Sequence, residues 1–214
     1  MNCPACGEPL YGWVKLDDRA TGAGYVVDRC EECGLAVTRG VPEPEAVFES
    51  ARRGLRPGAT IEMRLPNRAS WQAGIGGDRW GALDLPTQRL HVTPRSLALL
   101  LERHGLEAVR TRQPPVGRNQ VWMWQTLLNG FTFHTNFARD VARRRLRPRT
   151  ARGWPSFAID AVVTALAALP IALIAVPLEL VAVAARRGGE LVVAVGLSEA
   201  EPARTALYDR SRGS

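Results

Sequence analysis

Two cysteine knuckles constrain this chain more tightly than any other feature. Cys3-Pro4-Ala5-Cys6-Gly7 and Cys30-Glu31-Glu32-Cys33-Gly34 each place two thiols three positions apart, followed by a glycine that lets the backbone turn tightly. Between them run Y-G-W-V-K and Y-V-V-D, short β-type segments around a turn at 21–24, which can fold the second knuckle back beside the first. The pattern predicts a zinc ribbon over residues 1–40, with Cys3, Cys6, Cys30 and Cys33 as the ligands of a structural zinc. Four protein ligands leave such an ion no open position for water, so its expected role is in folding and not in catalysis. A redox or disulfide pair would want a βαβ setting, which this stretch does not offer. The start M-N-C-P-A-C has no charged and then apolar leader, so the cysteines are expected in a reducing cytoplasm.

The formal net charge of +7 is almost entirely arginine, since Lys15 is the only lysine. Guanidinium forks suit phosphate and carboxylate partners. Around the ribbon, however, Lys15, Arg19 and Arg29 are balanced by Asp17, Asp18, Asp28, Glu31 and Glu32, which leaves no basic stripe for a nucleic-acid backbone. Nucleic acid is therefore not the expected partner. With 214 residues, the chain can hold one ordinary domain and a small appendage.

After Pro42 and Pro44, residues 45–53 read as a short helix with acidic residues first and arginines last, stopped by Gly54. Residues 60–65 alternate Ile61, Met63 and Leu65 against Thr60, Glu62 and Arg64, the period of a half-buried strand. Thr93 as N-cap, Pro94 in the first turn, a leucine-rich body and Gly105 mark a second helix, and 106–112 returns as a strand. Gly22-Ala23-Gly24 and Gly74-Ile75-Gly76-Gly77 read as plain loops, because neither joins a strand to a helix as a phosphate-binding turn would.

This order is specific: P-E-A-V-F-E-S-A-R-R-G-L-R-P-G, a strand, L-P-N, the Trp- and Gly-rich W-Q-A-G-I-G-G-D-R-W-G-A-L-D-L-P, then L-H-V-T-P-R-S-L-A-L-L-L-E-R-H-G-L-E-A-V. It resembles the C-terminal half of class I S-adenosylmethionine-dependent methyltransferases that carry an N-terminal zinc ribbon. The resemblance covers residues 1 to 112 and extends to a final strand beginning at Glu190. It implies an α+β fold: a zinc ribbon plus a truncated Rossmann-like sheet holding only the late strands, with an apolar helical insertion. In the family order 3-2-1-4-5-7-6 the three retained strands would be the fifth, seventh and sixth, one contiguous edge. The resemblance also puts Asn67, Trp80, Asp84 and Gln88 on the substrate side, with Asp84 and His91 as catalytic candidates. The family's P-R-H has become Pro86-Thr87-Gln88, and His91 lies three residues on. S-adenosylmethionine is implied by the resemblance alone: the chain has no G-x-G-x-G turn after a strand and no acidic residue placed to hold the ribose. The expectation is a methyltransferase-like protein without autonomous cofactor binding, inactive alone or completed by a partner chain. The alternative is a non-enzymatic, membrane-associated zinc-ribbon adaptor.

The C-terminal half carries a second signal. Residues 120–128 are mostly apolar, and with Phe131, Phe133 and Phe137 they belong to an aromatic connector over 118–156. Arg143, Arg144, Arg145, Arg147, Arg149, Arg152 and Trp154 then precede a near-continuous apolar run within 157–187. Arginines, an interfacial tryptophan and an apolar run, in that order, are a membrane signature. Pro170 and Pro177 are expected to kink the run, and Glu179 would be costly at depth. If Glu190 opens a strand between the other two, both ends of the run must lie on one side. Two half-length helices bent near Pro170 would then dip into one leaflet or fold over the sheet. A single span and a buried hairpin stay open. His104 and His134 lack spacing for a ligand set or a base and read as surface or packed residues.

Overall fold

The computed structural model describes residues 1–17, 24–41, 45–83, 88–146 and 153–198. It is a mixed α+β fold with two antiparallel sheets and one long apolar helix. The first sheet is the ribbon: β1 (Leu10–Asp17), β2 (Gly24–Cys30) and β3 (Ala36–Thr38), joined at its edge by β5 (Leu90–His91). The ribbon therefore takes its fourth strand from well beyond residue 40, through Ala36 opposite His91 and Val37 opposite Leu90.

The second sheet has the order β4-β7-β6, from β4 (Ile61–Pro66), β7 (Glu190–Leu197) and β6 (Leu106–Arg112). The last strand lies between the other two and is antiparallel to both. Its apolar sequence suits a central position, and the strand is buried along nearly its whole length. Period 2 divides the sheet. Leu191, Val193 and Val195, with Met63 and Leu65 beside them, face a core shared with Leu97, Leu100 and Leu101 of α3 (Pro94–Arg103), with Phe48 of α1 (Glu45–Gly54), and with the ribbon residues Leu35 and Val37. A second element ties the ribbon to this body. The Arg68 amide donates to the Val92 carbonyl, its guanidinium donates to Gly34 O, and the same group lies 4.5 Å over the Trp13 ring.

α3 starts where its signals place it. Thr93 caps it by accepting from the Ser96 amide, while Ser96 Oγ accepts the Thr93 amide in a capping box. The loop expected around Gly74 instead contains a short helix, α2 (Trp71–Gly76). Ser70 starts it by accepting the Ala73 amide, and Gln72, on its first turn, is fully buried.

Between β6 and β7 come α4 (Arg118–Asn129), α5 (Phe137–Ala142) and α6 (Trp154–Ala184). The expected division into two half-length helices does not occur. α6 is one helix of 31 residues running through both internal prolines. Pro170 and Pro177 lie on its exposed side, so the hydrogen bonds they remove open the outer surface and leave the packed side continuous.

Candidate metal centre and exposed apolar helix

The four knuckle cysteines converge. Their Sγ atoms all lie within 4.8 Å of one another, with Cys3 to Cys33 at 3.6 Å and Cys6 to Cys30 at 3.4 Å. A tetrahedral zinc with bonds near 2.3 Å sets sulfur–sulfur distances of about 3.8 Å, whereas a disulfide needs about 2.05 Å, so the cluster fits the metal and not a bridge. Gly7 and Gly34 hold φ of 88° and 75°, and their amides donate to the carbonyls of Cys3 and Cys30, closing each knuckle. The Glu8 amide reaches Cys6, and the Leu35 amide reaches Cys33. Burial nevertheless pushes both of these thiols up. At Cys30 burial also pushes upward, but the Cys33 amide, the Cys6 thiol and the Glu32 amide outweigh it and bring the thiol below its ordinary value. A divalent cation is the partner that would hold all four as thiolates in this small volume.

The expected substrate-side residues are held by separate partners. Asn67 is buried: its Nδ2 donates to Gly188 O and its Oδ1 accepts from the Ala69 amide. Trp80 is fully buried in another layer, its Nε1 donating to Gln72 Oε1. Gln88 and His91 meet at Thr38, whose hydroxyl donates to Gln88 O and so accepts from His91 Nε2. That assignment leaves His91 Nδ1 as a buried acceptor without a partner. His91 is 2% exposed, and burial, with a smaller contribution from the Arg68 charge, lowers it to about 4. It is thus a neutral core histidine of the ribbon sheet at ordinary pH. Asp84 lies outside the described residues.

The helix layer carries polar groups that spacing alone did not reveal. Two carboxylates interrupt α6, and both are fully buried. Asp160 accepts from the Phe133 amide at 2.7 Å, the His134 amide at 2.9 Å and His134 Nδ1 at 2.6 Å. Glu179 accepts from Gln72 Nε2 at 3.0 Å, Asn119 Nδ2 at 3.0 Å and the Gly189 amide at 2.7 Å. Burial raises the Glu179 carboxyl above its ordinary range, and these three donors oppose the shift. Midway along, Trp124 Nε1 donates to Ala168 O. The helix is therefore fastened to one body near its start, at its middle and near its end.

The opposite side is bare. Ile159, Val162, Leu166, Leu169, Leu173, Val176 and Leu180 recur at three- and four-residue spacing, and all are exposed, Leu166 at 74% and Leu173 at 70%. By length and composition α6 could cross a membrane, and only 11% of its most apolar window is buried, whereas a core helix would be mostly covered. Phe131 and Phe133, beside the Asp160 cap, and Trp154, at the helix start, add exposed aromatic surface. Of the arginines expected to support this region, Arg147, Arg149 and Arg152 lie outside the described residues, while Arg143, Arg144 and Arg145 follow α5 directly. A lone carboxylate inside an apolar run, as at Asp160 and Glu179, is the one sequence signal that could have marked the packed face.

No protein-family model matches the chain, and neither the curated proteins nor the solved structures give a significant match.

Proposed function

We propose that this chain is a peripheral membrane protein. A zinc-stabilised ribbon and a methyltransferase-like half-sheet are held at one leaflet by α6 lying in the membrane plane, and the protein does not act as a self-sufficient enzyme. One observation carries the reading. Both carboxylates of α6 are buried and engaged on the protein side, while an unbroken apolar stripe faces outward on the other. A spanning orientation would drag the fastened α4, the Asp160 cap and the Glu179 network into hydrocarbon with it, and an in-plane helix does not. Among the expected alternatives, this reading takes monotopic contact over a single span or a buried hairpin.

The β4-β7-β6 order supports the methyltransferase resemblance, because it is the order expected of the fifth, seventh and sixth family strands. The sequence supplies no cofactor turn, so the same sheet supports a partner-completed half or a non-catalytic adaptor rather than an autonomous methyl transfer. Zinc is assigned a structural role, since four thiolates complete its coordination. Flotation of the purified, zinc-loaded protein with neutral phosphatidylcholine vesicles tests the membrane reading: the protein should rise with the lipid and resist removal by high salt. Protein left at the bottom of the gradient would refute it. Isothermal titration with S-adenosylmethionine tests the other half, and binding at micromolar affinity would overturn the claim that the chain lacks a cofactor site of its own.

A further inference from the structure

On its face away from the core the second sheet is covered at the Glu190 end, where Arg118 reaches that carboxylate, and is open toward Ala194. On this face Glu62 and Arg110 flank Ala194 from either side, and Arg64 and Arg112 flank Val192 in the same way. Three guanidinium groups therefore stand around one carboxylate. Glu62 is divided between two of them, Oε1 accepting from Arg64 Nε at 2.9 Å and Oε2 from Arg112 Nη2 at 3.1 Å. These bonds, Arg112's the larger, hold the Glu62 carboxyl below its ordinary range. Glu107, opposite Gly196 on the same face, is a second carboxylate, so the three arginines keep one net positive charge. Arg110 and Arg112 project from the same face of one strand, a like-charge pair that a bound anion would relieve.

The floor between these walls is apolar and shallow, because β7 places Val192 and the small Ala194 there. A cavity of about 320 Å³ results, lined by Glu62, Arg110, Arg112, Val192 and Ala194. It has an apolar floor and guanidinium sides, and a tetrahedral oxyanion can accept two parallel N–H bonds from each fork. A carboxylate already bridges two of the arginines, so the cavity has the chemistry of a site for a larger and more highly charged anion.

We infer that this cavity binds a phosphoryl group between Arg110 and Arg112 above Ala194, with Glu62 acting as a built-in competitor for the arginines. The site lies on a different element from the apolar stripe of α6 and stands whether or not the membrane reading holds. Its ligand is a phosphate monoester, either free in solution or displayed as a lipid headgroup.

The test uses the full, zinc-loaded chain and the variants Arg110→Ala, Arg112→Ala and Glu62→Gln, with Arg53→Ala on α1 as a charge-matched control. All four positions are exposed or half-exposed, and circular dichroism checks that each variant keeps the fold. In one arm inorganic phosphate is titrated by calorimetry. In the other, vesicles containing phosphatidic acid are compared with phosphatidylcholine alone. Arg110→Ala and Arg112→Ala should weaken binding about tenfold, as expected for loss of a charge-assisted pair. Glu62→Gln should strengthen it several-fold, and Arg53→Ala should leave it unchanged. An Arg110-dependent response to free phosphate assigns a soluble ligand, and one to phosphatidic acid alone assigns a lipid. If Arg110→Ala behaves like Arg53→Ala in both arms, or if Glu62→Gln binds no better than the parent, the inference is overturned.

Discussion

Replacing Leu166, Leu169 and Leu173 together by glutamine should release the protein from membranes without weakening its fold. These side chains are 74%, 69% and 70% exposed, so roughly seven-tenths of each is free to enter an acyl environment. Full burial of a leucine is worth about 1.5–3 kcal/mol, which gives about 1–2 kcal/mol for each and at least about 3 kcal/mol for the three. At 1.4 kcal/mol per tenfold, the vesicle partition coefficient should fall by more than about 100-fold. Stability should barely move, because glutamine is nearly as good a helix former as leucine and the sites touch little of the core. Phosphatidylcholine flotation reads the partition, urea unfolding reads the fold, and Val47→Gln, at an apolar site on α1 that is 55% exposed, serves as control. A triple variant that floats like the parent would refute docking through this stripe. So would a parent that is a dimer in buffer and is split by the triple substitution, because a second copy would then be what covers the stripe.

Other outcomes follow from the interior. His91 is held at about 4 when folded, against an ordinary 6.5, so the unfolded chain takes up the proton first. Its contribution is whole above pH 6.5 and is lost as pH falls toward 4, roughly 1.4 kcal/mol of it between pH 7.5 and 5.5. Urea unfolding of the parent should lose that much more over this interval than unfolding of His91→Gln, with metal saturating in both. The purified chain should carry one zinc by elemental analysis, and a strong chelator or Cys30→Ser should lower the melting temperature sharply, since metal binding is coupled to ribbon folding. Gly189→Ala should destabilise the fold by about 2–4 kcal/mol in a urea titration, because a Cβ there would sit 1.7 Å from Gln72 Nε2 and displace a donor of the Glu179 network.

Features written in local chemistry could be read from the chain. The knuckle spacing located the cysteine cluster, Thr93 and Pro94 located α3, and alternation located β4. The placement of Glu190 at the start of a central strand came from resemblance to longer proteins, since its near-continuous apolar run alone would suit a helix as well. What could not be read depends on contacts between distant residues. Asn67 looks available for a ligand until Gly188, 121 positions away, takes its amide. His134 and Asp160 are 26 apart and meet only because α6 returns past the end of α4. The prolines of α6 do not divide it, because both rings stand on the exposed side, where the hydrogen bonds they remove leave the packed side continuous.

The edge of β4 bears on the choice between an adaptor and a partner-completed half. Among the described residues β4 pairs only with β7, so its other edge is open where a further strand could add. Open edges invite pairing, and proteins that keep them in water protect them with charge, proline and short length. β4 has all three: it is six residues long, it carries Glu62 and Arg64, and it ends at Pro66, which has no amide to offer. Such an edge is built to stay single, which favours the adaptor. Hydrogen exchange on the zinc-loaded protein distinguishes the cases. For the adaptor, the outward amides of 61–65 exchange at the same rate with or without cell extract. A completed half would show them protected once its partner is present, and that result would reverse the preference.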